Sequence, residues 1–109
     1  MHIPTVTDEM LQKVLNAAAS PVFVEYTMAD DSLSKMMRRE TDLVSDRYDD
    51  RVIFVRIFMD ENPGVAHERL VELAPTIVVY RRNKEIKRLT GPINGDGLEQ
   101  FLEAMITAL

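Results

Sequence analysis

The stretch Met59-Asp60-Glu61-Asn62-Pro63-Gly64-Val65-Ala66-His67-Glu68-Arg69-Leu70-Val71-Glu72-Leu73-Ala74-Pro75-Thr76 decides how this chain folds. Asn62-Pro63-Gly64 is turn chemistry, and a short helix over roughly Val65 to Glu72 follows it. Ahead of the turn lies Val52-Ile53-Phe54-Val55-Arg56-Ile57-Phe58-Met59, the most strongly apolar segment. It is too continuous for a half-exposed strand and predicts the central strand of a sheet covered on both faces. Behind the turn, Thr76-Ile77-Val78-Val79-Tyr80 and Glu85-Ile86-Lys87-Arg88-Leu89 are strands joined by Arg82-Asn83-Lys84. So short a connection makes a β-hairpin, and the two strands are therefore antiparallel.

Further out, Thr7-Asp8-Glu9 opens a helix with a capping side chain and acids in its first turn. Met10, Leu11, Val14, Leu15 and Ala18 form its apolar stripe, and Ser20-Pro21 ends it. Val22-Phe23-Val24-Glu25-Tyr26 is a buried strand interrupted by one acid. Asp30-Asp31-Ser32 is a second helix start. That helix runs from about Leu33 toward Tyr48, with Leu33, Met36, Met37, Glu40, Leu43, Val44 and Tyr48 as its inner face. Gly91, Pro92, Gly95 and Gly97 precede a last helix, where Leu98, Phe101, Leu102, Met105 and Ile106 recur with helical period. The order is helix, strand, helix, strand, helix, hairpin, helix. Crossover helices imply parallel pairing early and the hairpin adds an antiparallel edge, so the fold class is a three-layer α/β/α sandwich on a mixed sheet.

The 109 residues suit one domain, 1–109, with 46% apolar and 28% charged residues and a net charge of −5. An acidic balance disfavours nucleic acid, since neutralising phosphates needs an excess of Lys and Arg. The chain has no cysteine. That removes disulfides, cysteine-bound zinc and thiol redox chemistry together, and it fits a cytoplasmic protein. Met1-His2-Ile3-Pro4 carries no signal-peptide pattern, and His2 falls in a terminus expected to be mobile. No apolar run approaches the ~20 residues that span a bilayer, so no membrane role is expected.

The spacing from Met59 to Thr76 resembles the bacterial thioredoxin pattern of apolar-Asp-x-Asn-Pro-Gly, a short helix, then Ile-Pro-Thr. Val24-Glu25-Tyr26, Lys35 after Ser34, Gly91 and Leu98-x-x-Phe101-Leu102 also match, so the resemblance covers about Asp8 to Ile106. It implies a thioredoxin-like fold. It puts Asp31 where the attacking cysteine would be, Ser34 where the resolving one would be, and Pro75 at a cis-proline. Glu25 falls where the family keeps a buried Asp, and Arg56 where it keeps a Lys. Ser32-Leu33 replaces Gly-Pro, and no tryptophan precedes the loop, where Thr27, Met28 and Ala29 stand. In the family, the cis-proline turn offers backbone to extended peptides, which pair with it as an added strand. Ala74 would offer that edge here.

The expectation is a redox-inactive, thioredoxin-like domain that binds a protein or extended peptide as a chaperone, adaptor or assembly factor. Its surface would comprise Asp30, Asp31, Ser32, Leu33 and Ser34 with Ala74, Pro75 and Thr76. No enzymatic activity, no cofactor, and a monomer or weak homodimer are expected. The rival is an enzyme relative that binds glutathione or another small thiol. At the loop, simple helix capping by Asp30, Asp31 or Ser32 competes with an acidic docking surface. Ser34 as nucleophile lacks a base and a motif. His67 is expected at the surface, and a metal site from Asp30, Asp31, Asp60 and Glu61 lacks metal-loop spacing. Glu25 and Arg56 are expected to form a structural ion pair, because a buried carboxylate without a partner is costly. The cations Arg81, Arg82, Lys84, Lys87 and Arg88 protect a sheet edge or dock an acidic partner. Met28, Met36 and Met37 are candidates for an adaptable contact, with Met36 and Met37 expected in the core.

Overall fold

Eight elements follow one another in the computed structural model, which describes residues 3–108, the side chains of Val65 and Ala66 excepted; the expectation for His2 lies outside them. They are α1 (Asp8–Ala17), β1 (Val22–Thr27), α2 (Ser32–Ser45), β2 (Ile53–Phe58), α3 (Pro63–Glu68), β3 (Thr76–Arg81), β4 (Lys84–Thr90) and α4 (Gly95–Ala108). Among the described residues no helix is long and apolar enough to cross a membrane.

The sheet order is β2-β1-β3-β4. β1 runs parallel to β2 and antiparallel to β3, which forms the hairpin with β4. The central strand is therefore β1, all six of whose residues are buried. The strongly apolar β2 is not central, and the reason is at the N-terminus. Thr5 pairs in parallel with Arg56, Arg56 N–H donates to Pro4 O at 2.9 Å, and Val6 N–H donates to Arg56 O at 2.8 Å. The segment from Pro4 to Val6 covers the outer edge of β2 and satisfies its backbone. β4 is an edge strand, exposed over Lys84–Lys87, whose charged side chains discourage pairing with other sheets.

Alternation along β1 separates the two cores. Val22, Val24 and Tyr26 pack with Leu11, Leu15, Val55, Ile57, Val71, Val78 and Tyr80. Phe23 packs on the other face with Met37, Val44, Phe54, Ile77, Val79, Leu98, Phe101 and Leu102. Of the two methionines expected in the core, Met37 is buried, whereas Met36 is 51% exposed. Leu33 and Leu43 are exposed as well. The inner face of α2 is instead Ser34, Met37, Thr41, Val44 and Ser45, because the strand face it covers carries Glu25 beside Phe23.

Candidate functional site

Register brings the pieces of the site to one end of the sheet. Tyr26 of β1 pairs with Thr76 of β3. The β1–α2 loop therefore leaves the sheet beside the turn that enters β3. The Ala74–Pro75 peptide in that turn is cis. Pro75 O accepts from the N–H of Gly91 at 2.8 Å, and Gly91 takes φ +96°, which favours glycine over any other residue there.

Asp31 is the N-cap of α2, its Oδ2 accepting from Ser34 N–H at 2.8 Å. Ser34 is fully buried, and its Oγ accepts from Met28 N–H at 3.3 Å. The two positions aligned with sulfur thus hold the loop and the helix start together. Asp30, Ser32 and Leu33 are exposed, Asp31 and Ala74 half-buried, and Ser34, Pro75 and Thr76 buried. Thr76 Oγ1 donates to Leu73 O at 2.6 Å. Whatever touches this face meets side chains at 30–33 and the half-buried Ala74.

Beneath the loop lies a buried polar network. Arg56 Nε donates to Glu25 Oε1 at 2.7 Å, and Thr41 Oγ1 donates to Glu25 Oε2 at 3.1 Å. Arg56 Nη2 reaches Asp42 Oδ1 at 3.0 Å and Arg38 O at 3.2 Å. Burial pushes the Glu25 carboxyl above the ordinary carboxylate range, against the opposing pull of Arg56 and Thr41. On the other face, the Tyr26 and Tyr80 hydroxyls meet at 2.9 Å, and burial raises both phenols, so both stay protonated.

Arg38 escapes sequence reasoning. Its guanidinium donates to Thr27 Oγ1, to Met28 O at 3.0 Å and to Ala29 O at 3.2 Å, and lies 5.2 Å from the centre of the Phe58 ring. It fixes the backbone just ahead of the acidic loop. The available signal was only its place one helical turn after Ser34.

A cleft of about 450 Å³ opens at the same end of the sheet, lined by Met28, Met59, Asp60, Pro63, His67, Leu70, Val71 and Glu72. A hollow of about 180 Å³ adjoins it across Leu70 and Glu72, reaching Leu73, Thr76, Arg88 and Thr90. Leu70 and Leu73 are 74% and 64% exposed. Leu70 has φ +58°, a conformation costing a non-glycine residue about 1–2 kcal/mol. Arg88 holds it there, with Nη1 on Leu70 O at 2.7 Å and Nη2 on Arg69 O at 3.0 Å. Arg88 also pairs with Glu85, and Lys87 Nζ sits over the Phe101 ring at 5.6 Å from its centre, so part of the hairpin's basic run has structural partners. Among the described residues no cluster of His, Asp or Glu fits a metal ion. His67 is exposed, on α3.

The sequence model of the thioredoxin family matches residues 2–104. Thioredoxin 1 of Nostoc sp. (strain PCC 7120) is 24% identical over 98 residues, 90% of this chain and 92% of the relative. Thioredoxin of Porphyra purpurea is 22% identical over 107 residues, 98% of this chain and all of the relative (100%). Thioredoxin H2 of Arabidopsis thaliana is 39% identical over 57 residues, 52% of this chain and 42% of the relative. Among solved structures, chloroplastic thioredoxin z superposes with a TM-score of 0.85 at 20% identity, over 100% of this chain and 97% of that one. Type-specific target recognition is described for that protein.

Proposed function

The chain belongs to the thioredoxin family, and from that premise we propose that it is a redox-inactive member which holds a protein or extended peptide. It acts as a chaperone, adaptor or assembly factor, in the cytoplasm, as a monomer or weak homodimer. One observation carries the reading. Asp31 and Ser34 occupy the two sulfur positions as a helix cap and a buried loop tie, while the cis-proline turn and an apolar cleft remain beside them. Disulfide exchange requires a thiolate to attack a disulfide sulfur, and no residue of this chain supplies one. Binding requires only shape, an exposed backbone edge and apolar surface. A small anionic thiol such as glutathione suits the loop poorly. The Asp31 carboxylate already accepts the Ser34 N–H that would receive an anion, and it repels one.

Two measurements test the reading. Insulin reduction with dithiothreitol stays at the uncatalysed rate; turnover above it ends the redox-inactive assignment. On an array of random extended peptides, Asp31→Lys and Ala74→Pro each lose most of the wild-type signal. Retention of the same peptides by both variants removes this face as the binding surface.

A further inference from the structure

We infer that the cleft selects a peptide in which an apolar side chain is flanked by lysine or arginine; this rests on the peptide-binding reading above. The cleft's floor and wall are apolar, made by Met28, Met59, Leu70 and Val71, and the ionisable side chains lining it are Asp60, Glu72 and His67, with no lysine or arginine. Two methionines give a floor that adapts to side chains of different shape. Cations of the neighbouring segments are committed elsewhere, Arg69 to Gln12, Asn83 and the Tyr80 ring. Arg38 is spent on three loop acceptors and the Phe58 ring. Arg88 is spent on Glu85 and the carbonyls of Arg69 and Leu70. The loop that follows the lining residue Met28 carries Asp30 and Asp31, and the turn after β2 carries Glu61. Fixed charge along the cleft is therefore negative, and complementarity of charge sets which partner is admitted.

Leu70 strengthens the case. A bulky residue at positive φ is an outlier, and here it also leaves an apolar side chain in water at the lip of the cleft. Glycine at this position would satisfy the backbone without strain. The leucine side chain is thus a cost to the isolated fold, and strain of this kind concentrates where a ligand is held.

Fluorescence anisotropy with three labelled twelve-residue peptides tests the inference. One carries a central pair of leucines between lysines, the second the same leucines between glutamates, the third serines between lysines. The first binds at least about tenfold more tightly than either other, a difference of about 1.4 kcal/mol. Leu70→Gly weakens it about tenfold without lowering the melting temperature. Asp60→Lys with Glu72→Lys turns the preference toward the glutamate peptide. Asp49→Lys with Asp50→Lys makes the same change in net charge at the opposite end of the sheet and leaves binding unchanged. Equal binding of the lysine and glutamate peptides overturns the charge inference and leaves the binding reading standing. Equal binding of the serine peptide overturns the apolar anchor. If none of the three binds, both readings fall.

Discussion

Glu25 is the residue on which the balance of this interior turns. Its carboxyl has a guanidinium at 2.7 Å and a hydroxyl at 3.1 Å, yet burial still holds it above the ordinary carboxylate range. The sign of the consequence follows from linkage. The folded state keeps this proton more tightly than the unfolded chain. The contribution of Glu25 to stability is therefore greatest in acid and declines as pH rises from the ordinary range through the raised value. Glu25→Gln does not titrate there. It is nearly isosteric with the protonated acid and keeps that form's hydrogen-bonding pattern, while Arg56 keeps Asp42 and the Arg38 carbonyl. Urea unfolding from about pH 4 to about pH 8 should show the two proteins close in acid and the wild type falling behind the variant as pH rises. A wild type that gains on the variant as pH rises means instead that Arg56 outweighs burial.

At the scale of the element, α2 shows why apolar periodicity misleads beside a buried charge. Leu33, Met36 and Leu43 suggest one face, but the face against the sheet carries Ser34, Thr41 and Ser45 among its buried residues. The Thr41 hydroxyl lies between Glu25 Oε2 at 3.1 Å and Met37 O at 2.9 Å, sharing one proton between them, and Arg56 reaches the helix at Asp42 and the Arg38 carbonyl. A helix over a carboxylate must offer donors, since an unmet buried acceptor costs about 1–3 kcal/mol. The expected sign of two substitutions is the reverse of what hydrophobicity suggests. Thr41→Val, which adds a methyl to a buried site, should lower stability by about 1–2 kcal/mol through the orphaned Glu25 oxygen. Leu43→Gln, at a leucine 71% exposed, should change it by less than about 0.5 kcal/mol. Denaturant midpoints of the two variants decide it; a larger loss from Leu43→Gln would return that leucine to the core. The cap at Asp31 was legible from three capping side chains in a row, because capping is local. Glu25 as the centre of the helix's inner face was not, because it depends on which strand the helix crosses.

For the whole molecule, the element order and the hairpin were legible from Met59 to Thr76 and its flanks, where turn chemistry is local, and the cis-proline turn was legible only through the family resemblance. Strand order was not. The apolar run of β2 marks the middle of a sheet only if nothing else covers its edge, and here the segment from Pro4 to Val6 does so through Arg56. The surrounding scaffold superposes on a thioredoxin over the full chain, so the proposed redox inactivity has two candidate causes: missing sulfur, or an altered loop. Asp31→Cys with Ser34→Cys distinguishes them. The first cysteine would stand at the N-cap of α2, where backbone N–H groups favour a thiolate. The second would stand three residues on, in the buried position whose N–H the Asp31 carboxylate reaches at 2.8 Å. If only sulfur is missing, the double variant forms a disulfide and reduces insulin measurably with dithiothreitol, while each single variant stays at background. The single Asp31→Cys thiol should also react with iodoacetamide faster than free cysteine at neutral pH, and the buried Ser34→Cys thiol more slowly. A double variant that neither forms the disulfide nor turns over would assign the loss to the loop itself. The replacement of Gly-Pro by Ser32-Leu33 and the clamp of Arg38 on Thr27, Met28 and Ala29 would then be what keeps the two positions from exchange geometry.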